Sequence, residues 1–112
     1  MLRGEVYQAD LNPIAGSEQG GKRPVLIVSR NALNLNASIV IVVPLTGREN
    51  KRRLYPTHVE LTAGEGGLAK DSVALCEQVR AISKNRLKKK LGQVSTQKMS
   101  LVDAALRISM DL

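Results

Sequence analysis

The sequence predicts a single mostly β domain with one C-terminal helix, folded as a small, partly closed β-barrel. Three observations carry that prediction. Short runs of Val, Ile and Leu are separated by turns rich in Gly, Pro and Asn. One run, residues 38–46, is continuously apolar rather than alternating. From Ser95 onward the apolar positions recur every three or four residues, the period of a helix. At 112 residues the chain holds one domain, residues 1–112, with a thin core. A second copy would supplement that core, so a homodimer is expected.

The elements follow in order. Residues 4–11 read as a first strand centred on Val6 and Tyr7. Asn12-Pro13 ends it, because proline lacks the N–H that a paired strand needs. Residues 14–23 form a polar loop holding Gly16, Gly20 and Gly21. A second strand covers residues 24–29, with Pro24 at the first position, where a missing donor is tolerated. Residues 31–36 are a helical turn or loop. The run 38–46 reads as a central strand buried on both faces. Residues 47–53 are a charged loop. Residues 57–61 alternate, as a strand with one wet face does, which points His58 and Glu60 outward. A turn at 64–67, a strand at 72–79, a basic turn at 82–90 and a short strand at 91–94 complete the sheet. Ser95 is a good N-cap, and Met99, Val102, Leu106 and Met110 form an apolar stripe broadened by Ala104, Ala105 and Ile108.

Composition narrows the partners. There is no Phe and no Trp, and only Tyr7 and Tyr55 carry phenol rings. The core is therefore built from Val, Ile, Leu and Ala, and any surface for stacking unpaired bases is small. Seventeen basic residues against ten acidic ones give a net charge of +7. That surplus favours an anionic partner: nucleic acid, an acidic protein or a membrane surface. Membrane is the weakest of these, because no run has transmembrane length and residues 1–6 contain no apolar signal core. Cys76 is alone and cannot form an internal disulfide; its apolar surroundings mark a buried structural thiol. A cytosolic protein is expected.

Chemistry concentrates in a few segments. In the loop 16–23, three glycines let the backbone approach a ligand, and successive N–H groups in such turns make anion-binding concavities. Arg23 adds a planar fork of donors suited to phosphate. The loop is not a Walker loop, since Gly21-Lys22 is followed by Arg23-Pro24 rather than Ser or Thr. A plain flexible hairpin fits the same composition. Thr46 closes the buried strand beside a basic loop, where a hydroxyl serves either a ligand or the structure. His58 is the only histidine, the acids are scattered and no cysteine cluster exists, so a metal nuclease is poorly supported. Two basic runs remain, 48–53 and 84–90, and the first adjoins Thr46 as a possible clamp on a polyphosphate chain.

Taken together, these segments closely resemble the MazF/PemK family of bacterial toxin endoribonucleases, the mRNA interferases. The matching stretches are Arg3-Gly4-Glu5-Val6-Tyr7, Gly16-Ser17-Glu18-Gln19-Gly20-Gly21-Lys22-Arg23-Pro24-Val25-Leu26-Ile27-Val28, Pro44-Leu45-Thr46, Pro56-Thr57-His58-Val59-Glu60-Leu61 and Asp71-Ser72-Val73-Ala74-Leu75-Cys76-Glu77-Gln78-Val79-Arg80, in order along nearly the whole chain. The resemblance implies an SH3-like β-barrel in a homodimer. It implies metal-independent, cofactor-free, sequence-selective cleavage of single-stranded RNA. Attack would come from the RNA's own 2′-hydroxyl, leaving a 2′,3′-cyclic phosphate and a 5′-hydroxyl. It also implies a MazE-type antitoxin with an acidic, partly disordered tail.

The family's catalytic pair maps to Arg23 and Thr46. Arg23 would clamp the phosphate and serve as a proton donor to the leaving oxygen, but its pKa is too high for a base. The base would be a carboxylate (Glu18 is nearest in sequence), His58 or water. The RNA-binding candidates are Ser17, Glu18, Gln19, Arg48, Arg52, Arg53, Tyr55, His58, Gln78 and Arg80. Two rivals stand beside this reading: a gyrase-binding toxin of the CcdB type, and an RNA-binding module that does not cleave.

Overall fold

A computed structural model of the chain describes residues 1–13 and 15–112. Among the described residues, seven antiparallel strands form one open sheet: β1 (Glu5–Asp10), β2 (Lys22–Ile27), β3 (Ile39–Gly47), β4 (His58–Leu61), β5 (Ser72–Leu75), β6 (Arg80–Ser83) and β7 (Leu87–Gln93). The order is β4-β5-β3-β2-β1-β7, with β6 also paired to β3. Helix α1 (Asn31–Asn36) crosses from β2 to β3, and helix α2 (Thr96–Met110) closes the chain. Ladders do not join β4 to β7 among the described residues, so the sheet is not closed.

The apolar run of β3 is buried on both sides because it feeds two cores. Val43 and Leu45 enter one cluster with Val6, Leu26, Leu61 and Ala74, which α2 covers with Met99, Val102 and Ala105. Val40 and Val42 enter the other with Ala9, Leu11, Val25, Ile27, Ile82 and Leu87. That second cluster gathers side chains from β1, β2, β3, β6 and β7, so five strands wrap around it.

Four expectations need correction. Strand β2 begins at Lys22 rather than Pro24: Lys22, Arg23 and Pro24 pair with Asp10, Ala9 and Gln8. The run 72–79 is not one strand. It breaks at a 3-10 turn, Cys76–Gln78, because β5 pairs with Leu45–Gly47 of β3 and β6 with Ile39–Val42 of the same strand. The basic segment 82–90 is mostly strand. Only Lys84–Arg86 turns, and Lys88, Lys89 and Lys90 stand in β7, at one edge of the sheet. Charges on an edge strand oppose pairing with another chain, so a run that looks like a loop locally is strand in the fold. The helical stripe is shorter than its period suggests: Leu106 is half-buried, Ala104 is exposed, and Ile108 and Met110 are 57% and 50% exposed. The last turn of α2 runs past the sheet.

Two buried polar groups have local explanations. Glu5 is 4% exposed. Burial works against its charge, but Lys90 Nζ at 2.6 Å, the Leu2 amide at 2.7 Å and the Tyr7 hydroxyl at 3.1 Å outweigh it. The carboxyl is held below its usual range. Cys76 is fully buried as expected, and burial pushes its thiol up to about 12.

Candidate active site

Arg23 and Thr46 lie 23 positions apart in the chain, yet the sheet sets them side by side. The β2–β3 ladder pairs Val25 with Pro44, Leu26 with Val43 and Ile27 with Val42. Continuing that register by two residues places Arg23 opposite Thr46. The alternation of strand side chains then puts both on the face of Val40 and Val42. Arg80 of β6 shares this face, since it pairs with Val42.

The Arg23 fork is aimed by the backbone. Its Nε donates to the Gly20 carbonyl at 2.6 Å and its Nη1 to the Leu45 carbonyl at 3.4 Å. A guanidinium has five N–H donors; among the described residues two are engaged, which leaves three for a ligand. Burial lowers the pKa of this half-buried group, from a starting value that still leaves it charged. Thr46 is 8% exposed, and its Oγ1 accepts from Asn50 Nδ2 at 3.1 Å. Both residues line a cleft of about 460 Å³ with Gln8, Lys22, Asn50, Lys70 and Ser72. These five were missed. Lys22 and Asn50 flank the recognised positions and were within reach of sequence reasoning. Lys70 arrives from the β4–β5 connection and Ser72 from the first position of β5, and no local pattern announces them.

A second cleft of about 380 Å³ gathers five of the expected binding residues: Ser17, Glu18, Gln19, Gln78 and Arg80, with Glu77. The Gln19 amide donates to Gln78 Oε1 at 2.8 Å, which fastens the loop to the 3-10 turn after β5. Arg80 Nη1 is buried with no hydrogen-bond partner among the described residues. The two clefts are neighbours, since Gly20, which holds Arg23, directly follows Gln19.

The remaining candidates divide. Arg48 is tied down: its Nε reaches Glu60 Oε2 at 3.2 Å and its Nη1 binds the Lys51 carbonyl. Arg52 and Arg53 are exposed. The Arg53 guanidinium lies 5.9 Å over the Tyr55 ring, which is 54% exposed. His58 does not point into solvent as its alternation predicts. Its side chain is 5% exposed. It meets Tyr55 edge-on at 5.6 Å between ring centres. Its Nδ1 accepts from the Tyr55 amide at 3.1 Å and its Nε2 faces Glu77 Oε2 at 3.2 Å. Both ring nitrogens are thus engaged. Among the described residues, no group of three or more His, Cys, Asp or Glu side chains is arranged to hold a metal ion. No helix among the described residues is long and apolar enough to cross a membrane.

Comparison with known proteins identifies the family of the chain. The curated Endoribonuclease MazF of Staphylococcus saprophyticus is 51% identical over all 112 residues, covering 92% of that relative. A solved mycobacterial endoribonuclease in complex with its cognate antitoxin superposes with a TM-score of 0.82 at 31% identity, over 100% of this chain and 96% of that one. MazF from Deinococcus radiodurans gives a TM-score of 0.85 at 26% identity, over 100% and 97%. The model of the PemK-like, MazF-like toxins matches residues 2–110. The chain therefore belongs to the PemK-like, MazF-like toxins of type II toxin-antitoxin systems.

Proposed function

We propose that this chain is a metal-independent, sequence-specific endoribonuclease that cuts single-stranded mRNA in the cytoplasm. The observation that carries the reading is the convergence of the Arg23 fork and the Thr46 hydroxyl on one cleft. In-line attack by a 2′-hydroxyl on the adjacent phosphate builds negative charge on the phosphoryl oxygens. Donors fixed beforehand at that point stabilise the transition state more than the ground state. The three free donors of Arg23 hold the phosphate and protonate the leaving 5′-oxygen. Thr46 donates to a phosphoryl oxygen. With both His58 nitrogens engaged, the attacking hydroxyl loses its proton to Glu18 or to water.

The second cleft binds flanking nucleotides through Ser17, Gln19, Gln78 and Arg80. Tyr55 stacks a base, and Arg52 and Arg53 hold phosphates. The cation surplus suits a second partner, a MazE-type antitoxin with an acidic tail, by analogy with the mycobacterial relative solved with its antitoxin. We further propose that two copies assemble as SH3-like barrels into a homodimer, a reading supported by exposed Leu101, Ile108 and Met110 on α2.

The test is incubation of purified protein with a long single-stranded RNA in excess EDTA. Discrete fragments are expected from the native chain, and from Thr46→Ala at a rate about 100- to 1,000-fold lower. RNA bound but intact across varied sequences would make the chain a non-cleaving binder. Inhibition of gyrase without RNA cleavage would make it a toxin of the CcdB type.

A further inference from the structure

We propose that Asn50 is a positioning residue that sets the direction of the Thr46 hydroxyl proton and so keeps Thr46 a donor to the scissile phosphate. The inference rests on reading Arg23 and Thr46 as the phosphate-stabilising pair. A threonine hydroxyl has one proton and can also accept. It helps an anionic transition state only when the proton faces the phosphate; turned around, it presents lone pairs to negative charge. The neighbour that fills its acceptor side therefore decides what it does. In this structure that neighbour is the Asn50 amide nitrogen, which has hydrogens and no lone pair to offer, at 3.1 Å from Thr46 Oγ1. Thr46 cannot donate along that line, so its proton is left for the cleft that both residues line.

The carrier of Asn50 is held at both ends. Asn50 ends a 3-10 turn, Arg48–Asn50. The Arg48 amide donates to the Asp71 carbonyl at 2.9 Å, and the Lys51 amide to the Arg48 carbonyl at 3.1 Å. The Arg48 side chain bonds the Lys51 carbonyl and pairs with Glu60 of β4 at 3.2 Å. Glu49 pairs with Lys70 at 2.7 Å across the cleft wall. Five contacts thus fix a turn whose one contribution to Thr46 is a single N–H.

Asn50→Asp tests this, because it keeps the shape but replaces the donor with an acceptor. The measurement is steady-state cleavage of single-stranded RNA, in the native background and in Thr46→Ala. In the native background kcat is expected to fall about tenfold to a hundredfold, with KM little changed. Asn50→Ala, which frees the hydroxyl to rotate, is expected to lose less. In Thr46→Ala the Asn50→Asp change is expected to have no further effect, which separates a role through Thr46 from repulsion by the added charge. Thermal unfolding midpoints matching the native chain confirm that all variants fold. Native-like kcat in Asn50→Asp, a larger loss in Asn50→Ala, or an equal loss in both backgrounds overturns the proposal. If the native chain leaves RNA intact, the reading of the site fails and this role fails with it, an outcome distinct from the other three.

Discussion

Arg23→Ala will lower kcat on single-stranded RNA by about 100- to 1,000-fold, the usual loss when a preorganised transition-state donor is removed. Arg23→Lys will recover little of it. The reason lies in how the fork is held. The guanidinium donates from Nε to the Gly20 carbonyl and from Nη1 to the Leu45 carbonyl, and these two bonds orient its remaining donors. A lysine ammonium is a point charge on a flexible stem. It cannot hold two carbonyls and still present a planar pair of donors to a phosphate. The same argument predicts that KM changes less than kcat, since a ground-state phosphate is content with charge alone. Single-turnover rates on one RNA, compared across native, Arg23→Ala and Arg23→Lys chains, check this. Full activity in Arg23→Lys would remove the bidentate clamp from the mechanism.

The largest effect on stability is expected at Gly67. Its φ is +73°, a conformation that costs an L residue about 1–2 kcal/mol. A Cβ built there would also sit 2.0 Å from the Leu91 carbonyl oxygen, which is backbone and has no rotamer to change. From the other side, a Cβ on Gly92 would meet Gly66 and Gly67 backbone at 2.7 and 2.8 Å. The turn Glu65–Gly67 and strand β7 therefore touch backbone to backbone. Overpacking and the strained φ together make Gly67→Ala cost about 3 kcal/mol or more. The contact also shapes the site, because Gly67, Leu68 and Leu91 line the cleft of Arg23 and Thr46. Urea unfolding reads the cost directly: the midpoint of Gly67→Ala should fall well below that of the native chain, whereas Gly64→Ala, with an open neighbourhood, should lose less. Equal midpoints for Gly67→Ala and the native chain would mean that β7 gives way easily.

Those two sites show what a sequence does and does not disclose. Residues 38–46 read directly as a strand buried on both faces, because continuous apolarity has few other uses at that length. The helix start at Ser95 was equally plain: its hydroxyl accepts from the Lys98 amide at 3.3 Å. The break between β5 and β6 was hidden, because what ends β5 is a change of partner along β3 rather than a turn residue. The lysines of β7 were hidden for the same reason, since edge position is a property of the sheet and not of the run. In the site, the Arg23–Thr46 pair was legible only through family resemblance, because its proximity depends on the β2–β3 register. The environment of His58 was misread because alternation reports which face a side chain takes, not what covers that face. Tyr55 and Glu77 cover it here. Asn50 lay in a segment that reads as a charge run, and its meaning appears only when its amide is seen against Thr46.

The central claim is that RNA supplies its own nucleophile while Arg23 and Thr46 stabilise the phosphate. The most direct measurement uses an oligoribonucleotide containing a mapped cleavage site and its twin with a single 2′-deoxy substitution on the nucleotide 5′ to the cut, both in excess EDTA. The account predicts cleavage of the first, with a 2′,3′-cyclic phosphate and a 5′-hydroxyl by mass spectrometry, and no cleavage of the second at that bond. Equal cleavage of the two, or a 3′-hydroxyl and 5′-phosphate at the cut ends, would contradict it.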